Sequence, residues 1–188
     1  MKQYTDLMLD IETLGKGVGC VILSIAAVPF FKSEQLLGEQ LFHMNIDIQS
    51  CQDKGLAINA DTLIWWMDMP ALFKRIQQDT YTLEGALLSL TRFIKTECAE
   101  DVRIWGRGPS FDQAILRDAY DRHKQDLPWR YSRERCVRTY LCGYEDLLKK
   151  HLAFTGELHH PVHDARHQIR SMHKVQSLTL NSKEDELD

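Results

Sequence analysis

The sequence predicts an α/β protein that opens on an antiparallel meander of three strands and continues with helices and short strands. Three observations lead there. Strand-like runs without helical period fill the stretch from Tyr4 to Asp47. Beyond it, segments of 3.6-residue period alternate with short apolar runs. The 188 residues, 44% of them hydrophobic and 27% charged, are enough for one sizeable core. We expect a single domain over 1–180 and a disordered acidic tail over 181–188.

Tyr4 to Leu9 reads as a buried strand, with Leu7, Met8 and Leu9 running into Asp10. Side chains at i and i+2 of a strand share a face. Asp10 and Glu12 of Asp10-Ile11-Glu12-Thr13 therefore present two carboxylates side by side at the strand's end. Each disfavours the other's ionisation. A divalent cation relieves that conflict, and an all-oxygen donor set suits Mg2+ or Mn2+; the plainer reading is a solvated turn. Leu14 to Gly19 is a glycine-rich turn. A strand follows it rather than a helix, so the dinucleotide and P-loop readings fail. Cys20 to Phe31, punctuated by Pro29, is the second strand, antiparallel to the first. Gln40 to Asp47 alternates apolar and polar residues and is the third.

Asn59 or Asp61 caps a short helix containing Leu63, Ile64, Trp65, Trp66 and Met67, interrupted at Pro70. The tryptophan pair fits a core better than a base-stacking surface. Thr82 caps the next helix, whose Leu83, Leu87, Leu90 and Ile94 form one stripe. Val102 to Trp105 is a short strand ending at Gly106-Arg107-Gly108-Pro109. Ser110 as N-cap and Gln113 at N3 fit a capping box. Asp112 then sits in a helix's first turn, where the dipole favours its charged form. Cys136 and Val137 suggest a short strand among Arg130, Arg133, Arg135 and Arg138. Those arginines read either as phosphate contacts or as a solvated face. Tyr140 to Leu152 reads as one helix, with Leu147 and Leu148 inward.

Six of the eight histidines lie between His151 and His173. Pro161 opens the last helix, which Ala165, Ile169 and Met172 stripe. Asp164 is again in a first turn. His163 and His167 are spaced i,i+4, as a zinc pair would be, but no third ligand matches.

A formal net charge of -4 argues against a grip on long duplex nucleic acid, so any such contact is short and local. Five cysteines without a CxxC pair read as free thiols in a reducing compartment. No apolar run has membrane-span length and no signal-peptide pattern opens the chain, so a cytoplasmic location without membrane partners is expected.

The ordered set of Asp10-x-Glu12, Asp112 opening a helix, and His159 five residues before Asp164 resembles the DEDDh branch of the DEDD (DnaQ-like) 3′-5′ exonucleases, a family of ribonuclease H-like fold. Leu9 to Thr13, Asp61 to Trp66, Gly106 to Asp112 and His159 to Ala165 carry the resemblance, in the family's order. The Trp-Trp helix, the Arg-Gly-x-Ser-Phe-Asp-like segment and Arg138-Thr139 are most similar to the small phage-type exodeoxyribonucleases, the group of exodeoxyribonuclease A of T-even phages. The resemblance implies a mixed sheet, with parallel strands added to the meander and helices flanking it, and a catalytic set of Asp10, Glu12, Asp112, His159 and Asp164. It implies two divalent metal ions, Mg2+ or Mn2+. Asp10 would bridge them, Glu12 and Asp164 would hold the ion beside the attacking water, and Asp112 would hold the second. His159 would be the general base; His160 stands at the spacing of the tyrosine-bearing branch. Thr13, Leu14 and Phe111 would meet the terminal nucleotide. The implied substrate is a single-stranded nucleic acid 3′ end, DNA before RNA, with nucleoside monophosphates released. Family members are often homodimers. Two other readings stand beside this one: a 3′-5′ exoribonuclease, and an inactive nucleic-acid-binding protein of the same fold.

Overall fold

In the computed structural model, which describes residues 3–184, strand β1 (Tyr4–Thr13) occupies the middle of a seven-stranded sheet. It is followed by β2 (Ile22–Phe31), β3 (Leu36–Leu37), β4 (Phe42–Ile46) and the short helix α1 (Ile48–Gln52). Helices α2 (Ala60–Met67) and α3 (Pro70–Ile76) lead to β5 (Thr80–Tyr81), α4 (Leu83–Glu97) and β6 (Cys98–Gly106). The chain ends with α5 (Asp112–Arg122), β7 (Glu134–Cys136), α6 (Val137–Tyr140), α7 (Glu145–His151) and α8 (Pro161–Glu184). The sheet order is β5-β4-β2-β1-β6-β7, with β3 on β2. β1 pairs antiparallel with β2 and parallel with β6, and β6 pairs parallel with β7. The mixed sheet is the expected one.

The two-residue alternation of β1 sorts its side chains between two cores. Leu7, Leu9 and Ile11 join the larger core with Leu83, Leu87 and Leu90 of α4 and Ile115 and Leu116 of α5. Met8 joins the smaller core with Ala165, Ile169 and Met172 of α8. Asp10 and Glu12 continue the Met8 side, toward α8. That alternation is the physical reason the site forms where it does.

Several expected boundaries move. β1 runs on to Thr13, so both carboxylates lie within the strand, at a register shift between Glu12 and Thr13. The meander is β1, β2 and β4, with the two-residue β3 added. Asn59 and Thr82 cap their helices as expected, accepting from the backbone N–H of Thr62 and Gly85. Ser110 does not cap α5. Phe111 holds the N-cap position without a side-chain bond, and the Gln113 amide donates to Ile104 O and Arg135 O instead. The helix expected over 140–152 starts only at Glu145: Tyr140 closes α6, and Gly143 takes a left-handed φ of 87° before α7. Residues 181–184 of the expected tail continue α8, and 185–188 lie outside the described residues. No helix among the described residues is long and apolar enough to cross a membrane.

Candidate active site

Three elements deliver four carboxylates to one cleft of about 780 Å³. β1 supplies Asp10 and Glu12, the first turn of α5 supplies Asp112, and the first turn of α8 supplies Asp164. Asp112 is only 2% exposed, and it ties the elements together. Its Oδ1 accepts from Ile11 N at 3.2 Å and its Oδ2 from Arg107 N at 2.8 Å. Gly106 leaves the space for this, since a Cβ there would lie 2.8 Å from Asp112 Oδ2. One turn after Asp164, Gln168 donates from Nε2 to Asp10 Oδ1 at 2.7 Å.

The electrostatics are those of crowded acids. Burial, then the charges of Asp112, Glu12 and Asp164, holds Asp10 well above the usual carboxylate range. Glu12 is pushed up to about 9 by burial, then by Asp164 and Asp112. Burial raises Asp112 to about 6 against the backbone N–H groups that stabilise its charge. Burial also raises Asp164, with the neighbouring His159 and Arg107 opposing.

His159 and His160 separate cleanly. His159 adopts a left-handed backbone with φ of 62°, a conformation that L-residues avoid at a cost of about 1–3 kcal/mol. There it lines the cleft, its ring edge-on to Trp65 with centroids 4.8 Å apart. Ligand atoms of Glu12, His159 and Asp164 lie within 4.8 Å of one another. His160 instead stacks on His163 at 4.2 Å and lies 5.2 Å from His43. His163 Nδ1 accepts from Glu157 N, and His167 packs on Phe154. Glu12, His159 and Asp164 are the only potential metal-holding group of histidine, cysteine or acidic side chains found among the described residues, so His163 and His167 assemble no zinc site.

The family model for the 3′-5′ exoribonuclease Rv2179c-like domain matches residues 5–176. The chain belongs to this family. As an Rv2179c-like domain it is thereby a member of a 3′-5′ exonuclease family, with a ribonuclease H-like fold. No curated protein sequence matches. Among solved structures, Pop2p of S. pombe in its Mg2+- and Mn2+-bound form is similar with a TM-score of 0.65 at 14% identity, over 93% of this chain and 83% of that one. A full-length 3′-exonuclease gives 0.61 at 12% identity, over 94% and 83%. A 3′-exonuclease in 3′-end-specific recognition of a histone mRNA stem-loop gives 0.62 at 11%, over 94% and 84%. At these identities the likeness is one of fold.

The donor set of this Rv2179c-like domain fits hard divalent cations. It is all carboxylate oxygen with one imidazole, its acids repel one another, and the buried Gln168 Oε1 beside Asp10 has no hydrogen-bond partner. Thr13 and Phe111 line the cleft. Leu14 does not. It is 1% exposed and packed in the larger core, because its N–H and C=O pair with Val21 O and Asn59 N and fix the turn inward.

The tryptophan pair splits. Trp66, 1% exposed, is core, and its Nε1 donates to Thr13 O at 3.0 Å, bracing the strand that carries the acids. Trp65, 42% exposed, lines the cleft. Among the four clustered arginines, Arg130 pairs with Glu100, Arg133 with Asp101, and Arg135 binds Ser132 O and Glu134 O. Only Arg138 of the four reaches the cleft, beside Arg107. Arg107, Trp65 and Gln168 do not stand out as site residues in the sequence. Gln168 has one signal there, its i+4 spacing from Asp164.

Proposed function

We propose that this chain removes mononucleotides one at a time from the 3′ end of a single strand, and that RNA is its preferred strand. The observation that carries the reading is the meeting of Asp10, Glu12, Asp112 and Asp164 with His159 in one cleft. The family description, exoribonuclease, supports the choice of RNA. The phage-type resemblance keeps exodeoxyribonuclease activity as the second reading.

Asp10, Glu12, Asp112 and Asp164 would hold two divalent cations, Mg2+ or Mn2+. When bound, such ions supply positive charge to the phosphate and leaving oxygens and make a neighbouring water more acidic. The rest falls to the chain itself. His159 accepts the proton of the attacking water, its ring at right angles to the Trp65 ring. Arg107 and Arg138 bring positive charge to the strand's phosphates. Trp65 offers an aromatic face to a base, and Thr13 and Phe111 border the terminal nucleotide.

The test is a paired degradation assay. Matched 5′-labelled RNA and DNA oligonucleotides are incubated with Mg2+ or Mn2+, with Asp10→Ala as control. A ladder shrinking from the 3′ end, faster on RNA, is the expected result. A ladder on DNA alone moves the assignment to an exodeoxyribonuclease. No cleavage of either strand beyond the Asp10→Ala level leaves a binding protein.

A further inference from the structure

A second cavity, of about 330 Å³, opens beside the cleft where α6, α7 and α8 meet. It shares Arg107, Arg138 and Gln168 with the cleft wall, so the two spaces adjoin. Its volume falls at the lower end of ligand pockets, roughly 300–1,000 Å³. Its walls divide by chemistry. Leu148, Leu141 and Leu152 make an apolar side, and Phe154 packs on the His167 ring at 4.9 Å to make an aromatic one. Arg107, Arg138 and Lys149 share the lining with one carboxylate, Glu145, which already accepts from Gly143 N, while Lys149 also pairs with the exposed Asp146 at 3.6 Å outside the lining. A chain of formal charge -4 thus turns a net positive pocket toward its candidate active site.

Two features mark the pocket as built for a ligand. Neither the Arg107 nor the Arg138 guanidinium makes an ion pair or a hydrogen bond among the described residues, unlike the other arginines of that segment. On its wall His167 Nδ1 is buried without a partner, and Gln168, which the pocket shares with the cleft, holds a second such atom in Oε1. Buried polar groups without partners cost free energy that a hydrogen-bonding ligand recovers. A flat group carrying both donors and acceptors, attached to an anion, matches a wall of aromatic, apolar and unpaired polar atoms with arginines at its mouth.

We infer that this pocket binds a nucleoside monophosphate unit, its base between Phe154, His167 and the leucines and its phosphate at Arg107, Arg138 and Lys149. The inference rests on the exonuclease reading for its place in the reaction. The unit is either the next nucleotide of the bound strand or a released product.

The test uses the full chain with metals chelated. Without cations the cleft offers a phosphate no metal, and α7 lines only the second pocket, so 5′-AMP binding sensed on α7 reports that pocket. Amide shifts along α7 are followed by NMR as 5′-AMP, adenosine or inorganic phosphate is added. Leu148→Trp fills the pocket and Lys149→Glu reverses its outermost charge; Lys149 is exposed, so Lys149→Glu keeps the fold.

Saturable 5′-AMP binding on α7, weakened about tenfold or more by both variants, supports the inference. Inorganic phosphate and adenosine bind more weakly than the nucleotide. The source then follows from kinetics. A strand unit makes the KM advantage of trinucleotides over dinucleotides vanish in Lys149→Glu, while a product unit makes added 5′-AMP inhibit the parent and not the variant. Folded variants that bind 5′-AMP as the parent does, or a parent without saturable shifts, overturn the pocket. The binding result stands independently of any cleavage assay, so loss of the exonuclease reading is recognised separately.

Discussion

His159 and His160 share a loop and face different neighbours. His160 is stacked between His43 and His163, and burial, then those two rings, lowers it to about 4, so it stays neutral as packing. His159 faces Glu12 and Asp164. His159→Ala is expected to lower kcat by about 10²- to 10⁴-fold, the range for a lost general base, with little change in Tm. His160→Ala is expected to lower Tm while kcat stays within a few-fold. Single-turnover rates and melting curves on both variants check this, and the reverse ranking would give the proton to His160. The tryptophans make a matched contrast. Trp66→Ala empties a core site and frees Thr13 O, costing about 3–5 kcal/mol by chemical denaturation. Trp65→Ala leaves stability within about 0.5 kcal/mol and raises KM about tenfold, the effect of one lost base contact.

At the scale of elements, the pairing of β1 with β6 carries a buried acid. Asp6 is fully buried, which alone would raise its pKa, yet Arg103 binds it twice at 2.6 Å, Trp105 Nε1 donates at 2.8 Å, and the net result is a lowered value. A depressed carboxylate contributes stability above its unfolded value, about 3.9, and loses it as pH falls through the folded value below that. Arg103→Met is therefore expected to cost about 1.5–3 kcal/mol at neutral pH and to move acid unfolding to higher pH, read by fluorescence. Where β6 hands over to α5, Gly106→Ala places a Cβ 2.6 Å from Gln113 Oε1 as well as against Asp112. Displacing Asp112 is expected to lower kcat at least about tenfold for an overpacking cost of about 1–3 kcal/mol.

These junctions also show what a sequence yields. The strands and the α4 stripe were legible because each reflects a local period against a core. The capping box at Ser110 failed because Gln113 finds its partners on β6 and β7, which a four-residue rule does not contain. Adjacent tryptophans read as one object in a sequence, although neighbours on a helix point about 100° apart. The site acids stood out as an ordered pattern. Arg138 stood out only as one of four clustered arginines and in the Arg138-Thr139 match, and Arg107 only within the Gly106 to Asp112 stretch, because only the fold separates them from arginines already paired elsewhere.

The molecule as a whole holds carboxylates from residues 10 to 164 against one another, next to the centre of its sheet. Whenever no cation sits among them, burial and repulsion oblige Asp10 and Glu12 to take up protons in the folded state, which opposes folding at neutral pH. Asn at that position is neutral without taking up a proton and keeps an oxygen to accept from Gln168 Nε2. Metal-free Asp10→Asn is therefore expected to melt higher than the metal-free parent, by about 2–4 °C for each kcal/mol of repulsion relieved. Added Mg2+ or Mn2+ should reverse the order. At about 100 times its Kd, a bound cation stabilises the parent by about 2.7 kcal/mol, and the variant gains less because it binds the ion more weakly. Melting curves of both proteins, chelated and metal-loaded, read this crossing directly. A metal-free Asp10→Asn that melts lower than the parent would mean that the four acids are held by hydrogen bonds strong enough to outweigh their repulsion.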